Sequence, residues 1–178
     1  MQPLQIQIAV VGNSKVGKTR MLLIHQLFDY NSQYLPLCYE SEEERALIDK
    51  QLIIYQLRDT ANLHEFPTLK QLLFNSASVF VVCYAINDQS SLDDITNYWM
   101  PELEIYLETR PFILVGLKED LRHEGSKIVS EKDVQKVIDK FQPYSHILCS
   151  ACTNLNINLL IDTAIRAAIN QKLNNQSQ

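Results

Sequence analysis

No stretch of the chain stays apolar over the roughly 20 residues that a membrane-spanning helix needs, so nothing in it reads as a helical span. The opening residues MQPLQIQIAV carry no basic start, no separate apolar core and no small-residue cleavage site. A secretory signal is therefore not expected, and the cytoplasm is the expected location. Lys and Arg are unclustered and the net charge is -5, which removes the electrostatic footprint of a nucleic-acid-binding surface. Cysteine is sparse, at Cys38, Cys83, Cys149 and Cys152. Cys149 and Cys152 form a C-x-x-C, but with no second pair for zinc and no thioredoxin-like helix behind it, so the spacing is read as coincidence. Cys83 lies inside the apolar run VFVVCYAI and suits a buried free thiol. No cysteine stands near the C-terminus to take a prenyl group, so membrane contact is expected only indirectly unless the native chain continues past Gln178. There is no internal repeat and no internal linker.

What is present is the composition and length of one globular domain, 178 residues with 46% hydrophobic and 21% charged content. Apolar runs of strand length alternate with longer segments of helical period, the pattern of an α/β protein built on a mainly parallel sheet. Six strands are predicted, at Leu4 to Val11, Glu44 to Ile48, Gln51 to Leu57, Val79 to Ile86, Phe112 to Gly116 and Ile147 to Cys149. Helices are predicted at Lys18 to Phe28, Ser90 to Glu108, Ser130 to Phe141 and Leu155 to Leu173, the second kinked or interrupted at Pro101. In the last, Leu160, Ala164 and Ala168 stand beside Ile161, Ile165 and Ile169, an apolar face for the sheet. The polar NNQSQ of residues 174–178 has nothing apolar to bury and is expected to be a disordered tail or the start of a linker.

The strongest motif is Gly12, Asn13, Ser14, Lys15, Val16, Gly17, Lys18, Thr19. It fits G-x-x-x-x-G-K-[ST] after a strand and before a helix, the context in which that motif forms a phosphate loop. Glycines let the backbone curl until its N–H groups face phosphate oxygens, and the helix N-terminus adds its positive dipole end. Lys18 then meets the β- and γ-phosphates, and the Thr19 hydroxyl meets Mg2+.

Further motifs select among phosphate-loop proteins. Arg58-Asp59-Thr60-Ala61 looks like a D-T-A-G segment, Trp99-Met100-Pro101-Glu102 like W-x-P-E, and Ile113 to Arg122 like a guanine-specificity segment. Cys149-Ser150-Ala151 looks like a C-S-A base loop. On these residues the chain resembles the Ras superfamily, and its Rho/Rac branch most closely, from Leu4 to Ile169. Beyond Arg122 it is too short for the extra helix of Rho proteins and has a Ras- or Rab-like length there. The resemblance implies a G domain over residues 1–173, with a six-stranded sheet flanked by helices on both faces. It also implies GTP or GDP as ligand, with Mg2+ at Thr19 and, through water, at Asp59. Asp120 would accept from the guanine N1–H and 2-amino groups, a pattern adenine does not offer. The Lys118 stem would cover the base, the Ala151 N–H would meet O6, Ser150 would hold Asp120, and Tyr30 would pack on the base edge. Arg20, Leu121 and Cys152 complete the expected nucleotide-binding set. Leu117 replaces the Asn or Thr that ties this loop to the phosphate loop, and Cys152 replaces a longer base-covering residue.

Four departures from the family pattern fall where the γ-phosphate is sensed or cut. Ser14 replaces a glycine in the phosphate loop. Leu63 replaces the glutamine that orients the attacking water and has no atom to do so. Asn62 replaces the glycine beside it, and Leu37 replaces the first-switch threonine. His64 is one position off the glutamine and reads as an ordinary loop histidine. No confident catalytic residue remains, so the resemblance implies a guanine-nucleotide-binding protein of signalling or trafficking with impaired hydrolysis and blunted switching. The alternative is a slow GTPase helped by a partner that supplies an arginine and a water-orienting group. An ATPase or nucleotide kinase is disfavoured by Asp120 and the C-S-A loop. Expected partners are guanine nucleotide and protein effectors and regulators, with a second domain conceivable beyond the polar end.

Overall fold

Apolar residues that fill whole strands must be covered on both faces, and the structure shows how. It is a computed structural model that describes residues 3–27, 42–60, 66–123 and 125–176. β1 (Leu4–Gly12), β3 (Gln51–Asp59), β4 (Val79–Ala85), β5 (Phe112–Leu117) and β6 (Ser145–Leu148) run parallel. β2 (Glu44–Ile48) pairs antiparallel with β3 through the turn residues Asp49 and Lys50, both with positive φ. Two such residues give the turn whose twist matches a hairpin. The order across the sheet is β2-β3-β1-β4-β5-β6, and β4 and β5 are buried at every position, as parallel strands covered on both sides are.

Alternation along each strand sorts its side chains between two cores. Ile6, Ile8 and Val10 of β1 face Met21 and Leu22 of α1 (Lys18–Leu27) and Leu160, Ile161 and Ala164 of α6 (Ile157–Gln176). On the other face Ala9, Val11, Phe80 and Val82 meet Phe74 of α2 (Pro67–Ser76), Leu92 of α3 (Gln89–Asp94), Leu103 of α4 (Met100–Leu107) and Val134 of α5 (Glu131–Phe141). The chain leaves β1 toward β3 and returns on its other side as β4. The C-terminal end of β1 is thus the topological switch point, where ligands bind in sheets of this kind.

Two details depart from expectation, at α2 and at the end of α6, and a third, at Pro101, agrees with it. α2 falls where no helix was predicted, because only Leu73 and Phe74 of Pro67–Ser76 are buried while Leu69 and Leu72 stay exposed, which leaves no clean apolar stripe. The helix expected across Pro101 is indeed irregular. A π turn at Ile95–Trp99 stands between α3 and α4, immediately before the proline, whose ring would otherwise press on the carbonyl four residues back. The last helix continues to Gln176, so residues 174–176 are helical rather than a disordered tail, the backbone hydrogen bonds carrying the helix past its apolar face. After the short 3-10 turn Glu119–Leu121, the described residues leading to α5 hold no additional helix.

Candidate functional site

The switch point brings the motif residues together. β1 ends at Gly12, with φ 141°, and the loop returns into α1 through Gly17, with φ 115°. A Cβ on Gly12 would lie 2.3 Å from the Cys83 carbonyl oxygen, so glycine is required there by contact as well as by torsion. Lys15 also has positive φ, at 64°. Ser14 and Lys15 are exposed. Val16 is buried in the core shared with α1, so its side chain belongs to the fold and only its backbone faces the loop.

Lys18 is 4% exposed, and its Nζ donates to the carbonyls of Gly12 and Asn13, both at 2.8 Å. Those bonds fix the curl of the loop and hold the ammonium at its centre. An ammonium has three protons to donate, which leaves one for an anion. Burial lowers the Lys18 pKa, and the nearby Asp59 carboxylate opposes that shift. Asp59 is wholly buried at the end of β3, and the Thr19 hydroxyl donates to its Oδ2. Thr60 anchors the same strand end, its N–H and its Oγ1 both donating to Val10 O, at 3.1 and 2.8 Å. The two residues assigned to a metal from sequence are thus adjacent, a hydroxyl and a carboxylate of the hard-oxygen kind that Mg2+ prefers.

A second cluster lies at the ends of β5 and β6. Lys118 leaves β5 in a left-handed conformation, φ 66° and ψ 37°, an unusual one for a residue with a Cβ. Ser150, fully buried, donates from Oγ to Asp120 Oδ1 at 2.5 Å and accepts from the Thr153 N–H at 3.1 Å. The Asp120 carboxylate is thereby held from behind. Gly17, Arg20, Leu117, Lys118, Asp120 and Leu121, with Ala151 and Cys152, line a cavity of about 280 Å³. Leu117 lies against Gly17, its Cδ1 3.8 Å from where a Gly17 Cβ would stand. Apolar packing therefore joins the base loop to the phosphate loop in place of a polar tie. Cys152 is exposed at this cavity, whereas Cys149 is buried, its thiol pKa pushed up to about 12 by burial. The C-x-x-C pair does not share one environment. A larger cavity of about 680 Å³, bordered by Met100, Pro101, Lys140 and Phe141, lies near the start of β5 and shares no residue with either loop.

Tyr30, Leu37, Asn62, Leu63 and His64 lie outside the described residues. Sequence reasoning missed how Asn13 is held: its Nδ2 donates to Asp94 Oδ2 at 2.6 Å, and it accepts from Trp99 Nε1 at 2.8 Å. Trp99 carried part of the resemblance, but no spacing rule links it to a loop 86 residues away.

The family model described as Ras family matches residues 7–170. Among curated proteins, the chain is 29% identical to the Ras-like GTP-binding protein RHO1 of Entamoeba histolytica, over 94% of this chain and 78% of that one. It is 28% identical to the Ras-like GTP-binding protein RhoL of Drosophila melanogaster, over 93% and 87% of the two chains. It is also 28% identical to the Rho-related GTP-binding protein RhoV of Rattus norvegicus, over 95% and 76%.

Proposed function

Because the chain belongs to the Ras family and is thereby a GTP-binding signalling protein of Rho-like type, we propose that it holds guanine nucleotide but hydrolyses GTP extremely slowly. It then acts through effectors and regulators that read its nucleotide-bound surface. In this reading the backbone from Asn13 to Thr19 and the Lys18 ammonium hold the β- and γ-phosphates. Asp120, steadied by Ser150, accepts from the guanine edge. The Lys118 stem and Tyr30 pack against the base, the Ala151 N–H donates to O6, and Arg20, Leu121 and Cys152 complete the walls. Thr19 directly and Asp59 through water would hold Mg2+, which when bound neutralises charge on the phosphates. One G domain over residues 1–173 and a cytoplasmic location belong to the same proposal. Among the described residues no helix is long and apolar enough to cross a membrane.

The observation that carries the reading is a contrast. The loops carrying Lys18 and Asp120 are braced by internal hydrogen bonds, which supports the binding reading, while the position of the family's water-orienting glutamine is Leu63, which can neither donate nor accept a hydrogen bond. Ser14 adds a side chain where an activating arginine would approach, and Asn62 and Leu37 remove two further γ-phosphate contacts. Leu117 and Cys152 soften the grip on the base without removing the Asp120 carboxylate.

Two measurements test this together. Nucleotide released by denaturing the purified protein is expected to be guanine nucleotide rather than adenine nucleotide. Single-turnover hydrolysis of loaded GTP is expected to stay at background with and without cell extract. Turnover only in extract would favour the partner-assisted GTPase, and turnover in buffer alone would overturn the proposal.

A further inference from the structure

The π turn Ile95–Trp99 has a consequence for the phosphate loop. In an α-helix, side chains three or four apart share a face, whereas the i to i+5 bonding of a π turn brings residues five apart into line. Met100 N–H bonds to Ile95 O in that manner. Asp94 and Trp99, five apart at the two ends of this turn, both reach the same side chain, Asn13. The turn packs against β1 and β4, and Trp99 is 1% exposed. Asn13 is oriented without ambiguity, since only an amide oxygen can accept from the indole N–H and only an amide N–H can donate to the Asp94 carboxylate. The backbone carbonyl of that same Asn13 receives one of the Lys18 Nζ bonds.

We propose that Asp94 and Trp99 are positioning residues for nucleotide binding, which act through the Asn13 side chain as a latch on the outer edge of the phosphate loop. Neither touches the nucleotide. They fix the Asn13 peptide and, through its carbonyl, the Lys18 ammonium that meets the phosphates. Strain on α3 or α4 that draws the indole away from Asn13 frees that peptide and loosens the phosphates. The latch thus sets the nucleotide release rate and gives a regulator bound to α3 a route to the site that avoids both switch segments. The inference rests on the reading of Gly12 to Thr19 as the phosphate site.

The test is an exchange of the two polar partners. Asn13→Asp places two carboxylates face to face, Asp94→Asn places two amides, and the double variant rebuilds the pair with donor and acceptor reversed while Trp99 keeps its acceptor. Release of a fluorescent guanine diphosphate is followed after addition of excess unlabelled GDP. Asn13→Asp is expected to speed release about tenfold, since the lost hydrogen bond involves a charge. The double variant is expected to return within about threefold of the native rate, a coupling that non-interacting sites would not show. Trp99→Phe, which keeps an aromatic ring but lacks the N–H, is expected to speed release several-fold while base discrimination between guanine and adenine nucleotide is unchanged. If Asn13→Asp does not fold, the double variant and Trp99→Phe decide the matter. Native release rates in Trp99→Phe, or a double variant releasing as fast as the faster single, would overturn the latch. Lys18→Ala separates the two layers: if it leaves nucleotide affinity unchanged, the phosphate-site reading itself fails, and if it abolishes binding while the exchange series shows no coupling, only the latch fails.

Discussion

Lys18 is a buried cation held by two carbonyls of its own loop, and the proposed phosphate contact of that loop is tested most directly at this residue. Lys18→Ala is expected to reduce guanine nucleotide affinity by about a hundredfold or more in titration calorimetry, as its one charge-assisted bond to a phosphate, about 1.5–3 kcal/mol, is lost together with the two carbonyl bonds that hold the loop in its curl. It should also erase the rise in melting temperature that added nucleotide produces, since a ligand stabilises only the state that binds it. Asp120 tests the other half of the site. Asp120→Asn is expected to shift preference from guanine to xanthine nucleotide, because the amide can donate to the xanthine 2-oxo group and the Ser150 hydroxyl can still donate to the amide oxygen. Equal loss of both bases would show that Asp120 does not face the purine edge. These residues were legible in the sequence because each motif is short and local, so residue type and spacing alone carry the chemistry. The Ser150 contact with Asp120 was legible only through the resemblance. Asn13 was legible as a loop residue but not as the partner of Asp94 and Trp99, which depend on where a distant helix comes to rest.

At the level of elements, α2 and α4 are joined by Lys70 and Glu102, whose ammonium and carboxylate pair with side chains 15% and 27% exposed. Burial is the largest single influence and works against the Lys70 charge, but the hydrogen bond and the charge of Glu102, with Tyr98, together outweigh it and raise the Lys70 pKa. Tyr98, on the π turn, bonds to the same carboxylate. α2 has few other anchors, with only Leu73 and Phe74 buried. Lys70→Met therefore leaves a half-buried carboxylate without its cation and is expected to cost about 1 kcal/mol. The effect should concentrate as faster amide exchange in residues 67–76, and Lys70→Met with Glu102→Gln should recover most of the loss. Uniform faster exchange across the sheet would show that the pair is not specific to α2. The same sparse burial explains why α2 escaped prediction, while α6, with a clean stripe of Leu160, Ala164 and Ala168, did not. β4 and β5 were legible because buried parallel strands are apolar throughout, and most strand ends shifted by one or two residues because hydrogen bonding, not hydropathy, sets where a ladder stops. Pro101 announced an irregular helix, but a π turn rather than a break required the packing of Trp99 to decide it.

Across the whole molecule, stability and switching are the properties that no single motif announces. His146 on β6 accepts from or donates to the Tyr84 hydroxyl at 3.0 Å and stacks on its ring. Burial lowers the His146 pKa, with Glu119 opposing the shift, and Arg122 and Glu131 border the same cavity. A histidine whose folded pKa lies below its unfolded value contributes stability that is full above the unfolded pKa and lost as pH falls through the folded one. The melting temperature is therefore expected to fall as pH drops from about 7.5 to below about 6.5, and His146→Gln, which cannot titrate, should flatten that dependence. An unchanged slope in His146→Gln would assign the loss to other groups. Switching follows a different logic, because a ligand moves a conformational equilibrium only by its difference in affinity for the two states. In the family pattern the γ-phosphate and Mg2+ order the first switch and release it upon hydrolysis. Thr19 and Asp59 are hydrogen-bonded to each other and in the proposed reading would hold the ion, and magnesium retains waters readily, so the absence of a side-chain oxygen at Leu37 is expected to spare metal binding. In the family pattern that oxygen links the ion to the first switch, so its absence is expected to remove that link from the segment Tyr34 to Glu40. Hydrogen exchange of that segment is accordingly expected to differ little between GDP and a non-hydrolysable GTP analogue, while amides of the phosphate loop stay protected in both. Strong protection of Tyr34 to Glu40 only with the analogue would overturn this and would assign the γ-phosphate contact to backbone groups or to Tyr34. Leu37→Thr should then create nucleotide-dependent ordering only if Asn62 lets the second switch approach as well. The double variant Leu37→Thr with Asn62→Gly is therefore expected to show a larger difference between the two nucleotides than Leu37→Thr alone, because the two switch segments close on one phosphate group and their contacts are coupled.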